Sequence, residues 1–268
     1  MTSKNDAPWP VPRKGKFSLS DMPTRLEKIK GGNGQGDMSV FERLNKLQNT
    51  MYASKTQGLL LVLQGMDTAG KDGVIRHVFS HISPLGVRAQ AFAAPSEEEK
   101  RHDFLWRIHS KLPSKGEMVI FNRSHYEDVL VPMVRGGMKK ATLQKRLEHI
   151  CHFEAMLQDE GIAVLKCYLH ISKAEQKKRL QARMDDPQKQ WKLQASDFED
   201  RKRWPSFMQA YEETMQATST KQSPWFIVPA DDKSQRDHLL AELLVNTLED
   251  MKLTMPKPTL KPGSLKLI

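Results

Sequence analysis

Apolar positions along the chain follow two alternating patterns. Short runs with little polar interruption occur at Leu59–Leu63, Val87–Phe92, Met118–Phe121, Ile162–Leu169 and Trp225–Val228. A β-rich run without strict alternation predicts a strand covered on both faces. Between and after these runs the apolar spacing turns helical, over 72–82, 97–112, 139–160, 173–184, 197–217 and 233–251. Strands alternating with helices predict an α/β fold, a parallel sheet flanked by helices, with the ligand crevice at the carboxyl ends of the strands. A further helix is expected over 38–53, with Phe41, Leu44, Leu47 and Met51 on one face and Ser39 as its cap. Residues 1–37, closed by the glycine-rich GGNGQGD, read as a flexible extension, and 255–268 as a loose tail. Between them, 38–254 form the main domain.

Composition narrows the partners. The formal net charge is +10, which points to an anionic partner: nucleic acid, an acidic membrane surface or a polyanionic substrate. Two cysteines, Cys151 and Cys167, lack metal-ligand spacing and read as free buried thiols, which fits a reducing cytoplasm. No apolar run is long enough to span a bilayer, and the N-terminus lacks the apolar centre of a secretory signal.

The chemistry concentrates where the first strand ends. Gly65-Met66-Asp67-Thr68-Ala69-Gly70-Lys71 fits the first seven positions of GxxxxGK[ST], with a strand before and a helix after. Such a loop turns backbone N–H groups toward phosphate oxygens, the helix start adds about half a positive charge, and Lys71 supplies a mobile cation. Two carboxylates interrupt it. Asp72 stands where Ser or Thr would bind Mg²⁺, and reads as an acid complementing the helix dipole; Gly73 follows. Asp67, at the crown, would repel phosphate unless a metal lay between them. It is read as a ligand of Mg²⁺ or as the group that orients the attacking oxygen.

Two further clusters accompany the loop. EMVIFNRSHYEDVLV, 117–131, ends a strand at Asn122-Arg123, so Arg123 should face the loop, with Glu127 and Asp128 as the carboxylate candidates. His125 and Tyr126 read as structural. The stretch 173–204 carries a basic excess; Arg179 and Arg183 share one helix face, Asp185-Asp186-Pro187 ends that helix, and another begins near Asp197. A helix, turn and helix of this kind behind a phosphate loop predict a lid.

Together GMDTAGKDG (65–73), PSEEE (95–99) with FLWR (104–107), FNRSHYEDVLV (121–131) and RLQARMDDPQKQWKLQASDFEDRKRW (179–204) resemble the polyphosphate kinase 2 family over roughly 38–252. The resemblance implies a three-layer, thymidylate-kinase-like P-loop fold. It also implies transfer of a terminal phosphoryl between inorganic polyphosphate and an adenine or guanine nucleotide with Mg²⁺, and a homodimer or homotetramer. It places essential loop residues on Asp67 and Lys71, the second-motif arginine on Arg123 and lid arginines on Arg179 and Arg183. Arg76, Lys189 and Lys192 would extend a polyphosphate track. Metal contact would fall to Asp67 and to Asn122 or Glu127. Many members carry Asp at the position of Asn122 and Gly at that of Asp72, departures that resemble the subgroup phosphorylating both AMP and ADP. The rival expectations are an ATP-dependent nucleoside monophosphate kinase and a P-loop protein that binds nucleic acid; no nucleic-acid module is recognisable.

Overall fold

The computed structural model describes residues 7–27 and 35–260. Six strands form one sheet: β1 (Trp9–Pro10), β2 (Gly58–Gln64), β3 (Val87–Ala91), β4 (Met118–Asn122), β5 (Ile162–His170) and β6 (Trp225–Pro229), in the order β1-β6-β5-β2-β4-β3. All neighbours are parallel except β1, which pairs antiparallel with β6. The helices are α1 (Gln35–Ser54), α2 (Lys71–Val78), α3 (Trp106–His109), α4 (Glu127–Arg135), α5 (Lys140–Asp159), α6 (Lys173–Asp185), α7 (Ala195–Lys202), α8 (Trp204–Thr218) and α9 (Lys233–Asp250). α1, α2 and α9 pack together in one group, and α4, α5 and α8 in another. This three-layer arrangement is the P-loop kinase fold, with the loop after β2, the strand flanked by β4 and β5. Among the described residues no helix is long and apolar enough to cross a membrane.

The hydrophobic runs explain the layers. Every residue of β2 is buried, as are most of β4, β5 and β6, because helices cover both faces. β3 departs from that expectation. It lies at the sheet edge, and none of its residues is buried.

Several helix boundaries also differ from the pattern. α1 starts at Gln35, so Ser39 lies inside the helix and does not cap it. The single helix expected over 97–112 is a 3₁₀ turn at Glu99–Arg101 and the short α3. Asp103 separates them, its Oδ1 accepting from Leu105 N at 2.9 Å and offering the backbone an alternative to helix. The helix expected over 197–217 divides at Arg203, where Trp204-Pro205 begins α8 with proline in its first turn. Helix α4 is unanticipated because Pro132 sits inside it. That proline cannot donate to Asp128 O, and Arg146 Nη1 supplies the missing donor at 2.8 Å.

The largest departure is at the N-terminus. Residues 7–27 are not a loose extension: Trp9, Val11, Leu19 and Leu26 are buried in the core. Val11 N donates to Trp225 O at 2.8 Å, Leu19 N to Glu212 at 2.6 Å and Thr24 Oγ1 to Asp231 at 2.7 Å. The segment straps β6, α8 and the start of α9. Much of the glycine-rich stretch 31–37 lies outside the described residues, as does the end of the tail.

Candidate active site

The phosphate loop joins β2 to α2 and is held from several sides. Gly65 and Gly70 both have positive φ. A Cβ at Gly65 would meet Leu169 O at 2.8 Å, and one at Gly70 would meet Arg236 Nη1 at 1.9 Å, so neither position accepts a side chain. Thr68, at the crown, has φ 63°, a costly conformation for a β-branched residue, and its Oγ1 is buried without a hydrogen-bond partner. Lys71 Nζ lies across the loop, donating to Gly65 O at 2.6 Å and Met66 O at 3.4 Å. Burial lowers the Lys71 pKa, and neighbouring Asp67 opposes that shift.

The second motif supplies the facing wall. Arg123 leaves β4 with φ 64° and its Nη2 pairs with Asp67 Oδ1 at 3.1 Å. Its pKa is raised: burial works against the charge, but Glu127 and Asp67 outweigh it. The two acids that the sequence left open are separated by their partners. Asp128 is bound by Arg107 Nη2 at 3.0 Å and belongs to the scaffold. Glu127, one residue earlier, faces Arg123, Lys71 and Asp67 across the site. Burial raises the Glu127 pKa and Asp67 adds to this, against Arg123 and Lys71.

Behind that wall lies a buried polar network. Lys166 Nζ bonds to Glu154 at 2.6 Å, Thr218 O at 2.7 Å and Tyr126 OH at 3.3 Å, and Tyr126 OH donates to Glu154 at 2.7 Å. His125 Nε2 sits 3.6 Å from Glu154. Burial alone would raise the Glu154 pKa; Lys166 and His125 hold it low. His125 and Tyr126 are fully buried between Arg123 and Glu127, with the Tyr126 hydroxyl tied into this network.

The third cluster holds a distinction that spacing concealed. Arg183, partly buried on α6, pairs with Asp197 Oδ2 at 3.3 Å. Asp197 is itself buried and lies within electrostatic reach of Asp67 and Arg123; burial and Asp67 raise its pKa against Arg183. In the sequence Asp197 marks only a helix start, and its pattern gives no signal beyond one acid among many. Arg179 is different. Its Nη1 donates to Thr68 O and Ala69 O, both at 3.1 Å, its Nη2 to Ala230 O at 2.7 Å and Asp231 O at 2.9 Å, and its Nε to Glu175 at 2.9 Å. The reading of Arg179 as a phosphate-contacting lid arginine is therefore corrected. Its guanidinium is committed to the outside of the loop.

The two departures from the family pattern meet each other. Asn122 Nδ2 donates to Asp72 Oδ1 at 2.7 Å, and Lys192 Nζ reaches Asp72 Oδ2 at 2.8 Å. Burial would raise the Asp72 pKa, but these two hydrogen bonds outweigh it and hold it low. Of the other basic candidates, Arg76 is exposed on α2 and Lys189 is exposed and paired with Asp186, so neither joins the cluster.

The model for polyphosphate kinase 2 matches residues 33–256. The chain belongs to the polyphosphate kinase 2 family. It is 49% identical over 249 residues to a Meiothermus ruber protein named AMP/ADP-polyphosphate phosphotransferase, covering 91% of this chain and 93% of that one. It is 42% identical over 230 residues to a Rhodopseudomonas palustris ADP-polyphosphate phosphotransferase, covering 81% and 80%. The crystal structure of polyphosphate kinase 2 from Arthrobacter aurescens TC1 superposes with a TM-score of 0.88 at 39% identity, covering 94% of this chain and 92% of that one. Within this polyphosphate kinase 2 frame, Asp67, Lys71, Arg123 and Glu127 stand together, and Asp197 links Arg183 to them.

The donor set suits a hard divalent cation. Asp67 and Glu127 could offer carboxylate oxygens, and Asp67 adds to the rise of the Glu127 pKa. Asn122 can offer only its oxygen, since its nitrogen is given to Asp72. Among the described residues no group of three or more His, Cys, Asp or Glu forms a cage. Mg²⁺ held here would complete its shell with water and phosphate oxygens, as it commonly does.

Proposed function

We propose that this chain moves the terminal phosphoryl of inorganic polyphosphate to ADP and to AMP, the activity for which its relatives are named. The observation that carries the reading is that Lys71 and Arg123 face a site that also holds Asp67 and Glu127, to which Arg183 is joined through Asp197. Such alternation suits two phosphate chains brought end to end, where a cationic pocket alone would hold one.

In the reaction, a terminal oxygen of the nucleotide forms a bond to the end phosphorus of the polyphosphate. The bridging P–O bond of that phosphorus breaks, and the chain leaves one phosphate shorter. Loop amides and Lys71 bind donor oxygens; Arg123 and Arg183 neutralise charge on the transferring group. Asp67 and Glu127 orient the acceptor, and Asp197 keeps Arg183 aimed. Asp67 and Glu127 would hold Mg²⁺, which would supply further charge neutralisation. Reactants held in line account for most of the rate, since little covalent chemistry falls to the protein.

The test supplies ADP, long-chain polyphosphate and Mg²⁺ with no other nucleotide. ATP should form, stop on adding a chelator and return with excess Mg²⁺. Folded protein that forms no ATP here, yet converts AMP when ATP is given, would be an ATP-dependent monophosphate kinase instead. Crossing the donor with AMP, GMP and GDP fixes the acceptor.

A further inference from the structure

The carbonyls of the phosphate loop face two ways. Gly65 O and Met66 O turn inward, toward Lys71 Nζ. The next three turn outward, onto α6: Gln176 Nε2 donates to Asp67 O at 3.1 Å, and Arg179 Nη1 donates to both Thr68 O and Ala69 O at 3.1 Å. A trans peptide plane points its C=O and the following N–H in opposite directions. Fixing these carbonyls outward therefore turns the amides of Thr68, Ala69 and Gly70 to the Lys71 side; Ala69 N already donates to Met66 O at 3.0 Å, which leaves the amides of Thr68 and Gly70 for an anion. Successive inward N–H groups make an anion-binding concavity.

Gln176 and Arg179 are built for this task. Gln176 is fully buried, and its Oε1 is held by Arg201 Nη1 at 2.8 Å, which fixes which end of the amide donates. Arg179 is anchored by Glu175, Ala230 and Asp231, so its fork has a single orientation. We propose that Gln176 and Arg179 are positioning residues that hold the phosphate loop in its anion-binding conformation, and that the lower half of α6 belongs to the loop's frame and not to the moving lid. The inference rests on the phosphotransferase reading only in taking phosphate as the anion. Arg183, four residues further along α6, stands about 6 Å higher along the helix axis. One rigid helix thus sets the distance between the nest and the arginine above it, and a lid hinge falls beyond Arg183, near Asp185-Asp186-Pro187.

The experiment measures binding of inorganic tripolyphosphate to the full chain by calorimetry, without turnover, and then the donor KM and kcat. The variants are Gln176→Leu, Arg179→Lys and their combination. Arg179→Lys keeps the charge and loses the fork. Each single variant should weaken tripolyphosphate binding and raise the donor KM about tenfold, with kcat changed by less than about threefold. The double variant should lose less than the product of the two, because both act on one loop. Wild-type tripolyphosphate affinity in Arg179→Lys, or a lowered Tm with unchanged affinity in both single variants, would overturn the inference. So would a kcat loss of about 10³ at unchanged affinity in Arg179→Ala, the mark of an arginine on the transferring group. If Arg179→Lys does not fold, Gln176→Leu decides by the same criteria. A wild-type chain that binds tripolyphosphate but forms no ATP would sink the reaction and support the loop inference; one that binds none would overturn the inference.

Discussion

The phosphate loop and the hairpin above it are held by opposite means. Beneath, α6 reaches loop carbonyls with the buried Gln176 and the nearly buried Arg179. Above, α7 is tied to α6 by Arg183 on Asp197 and Arg201 on Gln176, and the turn between them reaches the rest of the site through long side chains in partial solvent, Lys192 on Asp72 and Arg135 on Asp200. Exposed pairs of this kind contribute little, about 0–1 kcal/mol, and yield readily. The loop is thus set in place before any phosphate arrives, which is what electrostatic catalysis requires. The weaker ties of the turn suit the lid read from the sequence, since admission of two polyanions requires one that opens.

The largest effects should come from the cations between the two regions. Arg183→Ala should lower kcat by roughly 10³–10⁵, read as the initial rate of ATP formation, with Lys71→Ala comparably severe. A loss under about threefold in Arg183→Ala would place the chemistry in the loop alone and erase the share of α6.

Next comes the second motif. Glu127→Gln should cost roughly 10² in kcat, as for removal of one aimed electrostatic group. The same change should leave the protein at least as stable at neutral pH. A carboxyl whose folded pKa is raised contributes stability below its unfolded value, and that contribution is lost as pH rises through the folded value. Activity runs the other way: it should fall on acidification earlier than an ordinary glutamate would dictate. Rate–pH and melting curves of wild type and Glu127→Gln would show both, and superimposable profiles would remove Glu127 from the site.

Lys166→Met tests the scaffold behind that motif. It strands Glu154 in a buried position and should cost about 3–5 kcal/mol in chemical denaturation. Protein that remains folded should keep its donor KM within about threefold, since Lys166 touches no loop atom. The smallest effect belongs to the hairpin's own tie. Lys192→Ala should change kcat by less than about threefold and leave Tm nearly unchanged. A large kcat loss would mean that the exposed contact to Asp72 is a working part of closure.

Much of this was legible in the order of residues. Unbroken apolar runs located the parallel strands, and GMDTAGK after one of them located the loop. What stayed hidden has physical causes. Arg179 and Arg183 are one turn apart on one helix face, and only the outward carbonyls of Thr68 and Ala69 separate their roles. Glu127 and Asp128 are neighbours whose fates depend on Arg107, distant in sequence. Asp197 is buried by a fold that brings α7 beside Asp67, which no local pattern encodes. Pro132 disguised α4 because its missing donor is replaced from α5 by Arg146.

The strap has a practical consequence for anyone shortening or tagging this chain. Thr24 bonds to Asp231, whose other carboxylate oxygen accepts from Ser172 N at the base of α6 and whose carbonyl takes Arg179. A fragment beginning at Met38 would keep every recognisable motif. It would nonetheless bare the seats of Trp9 and Leu19 and loosen the footing on which the glycine loop rests.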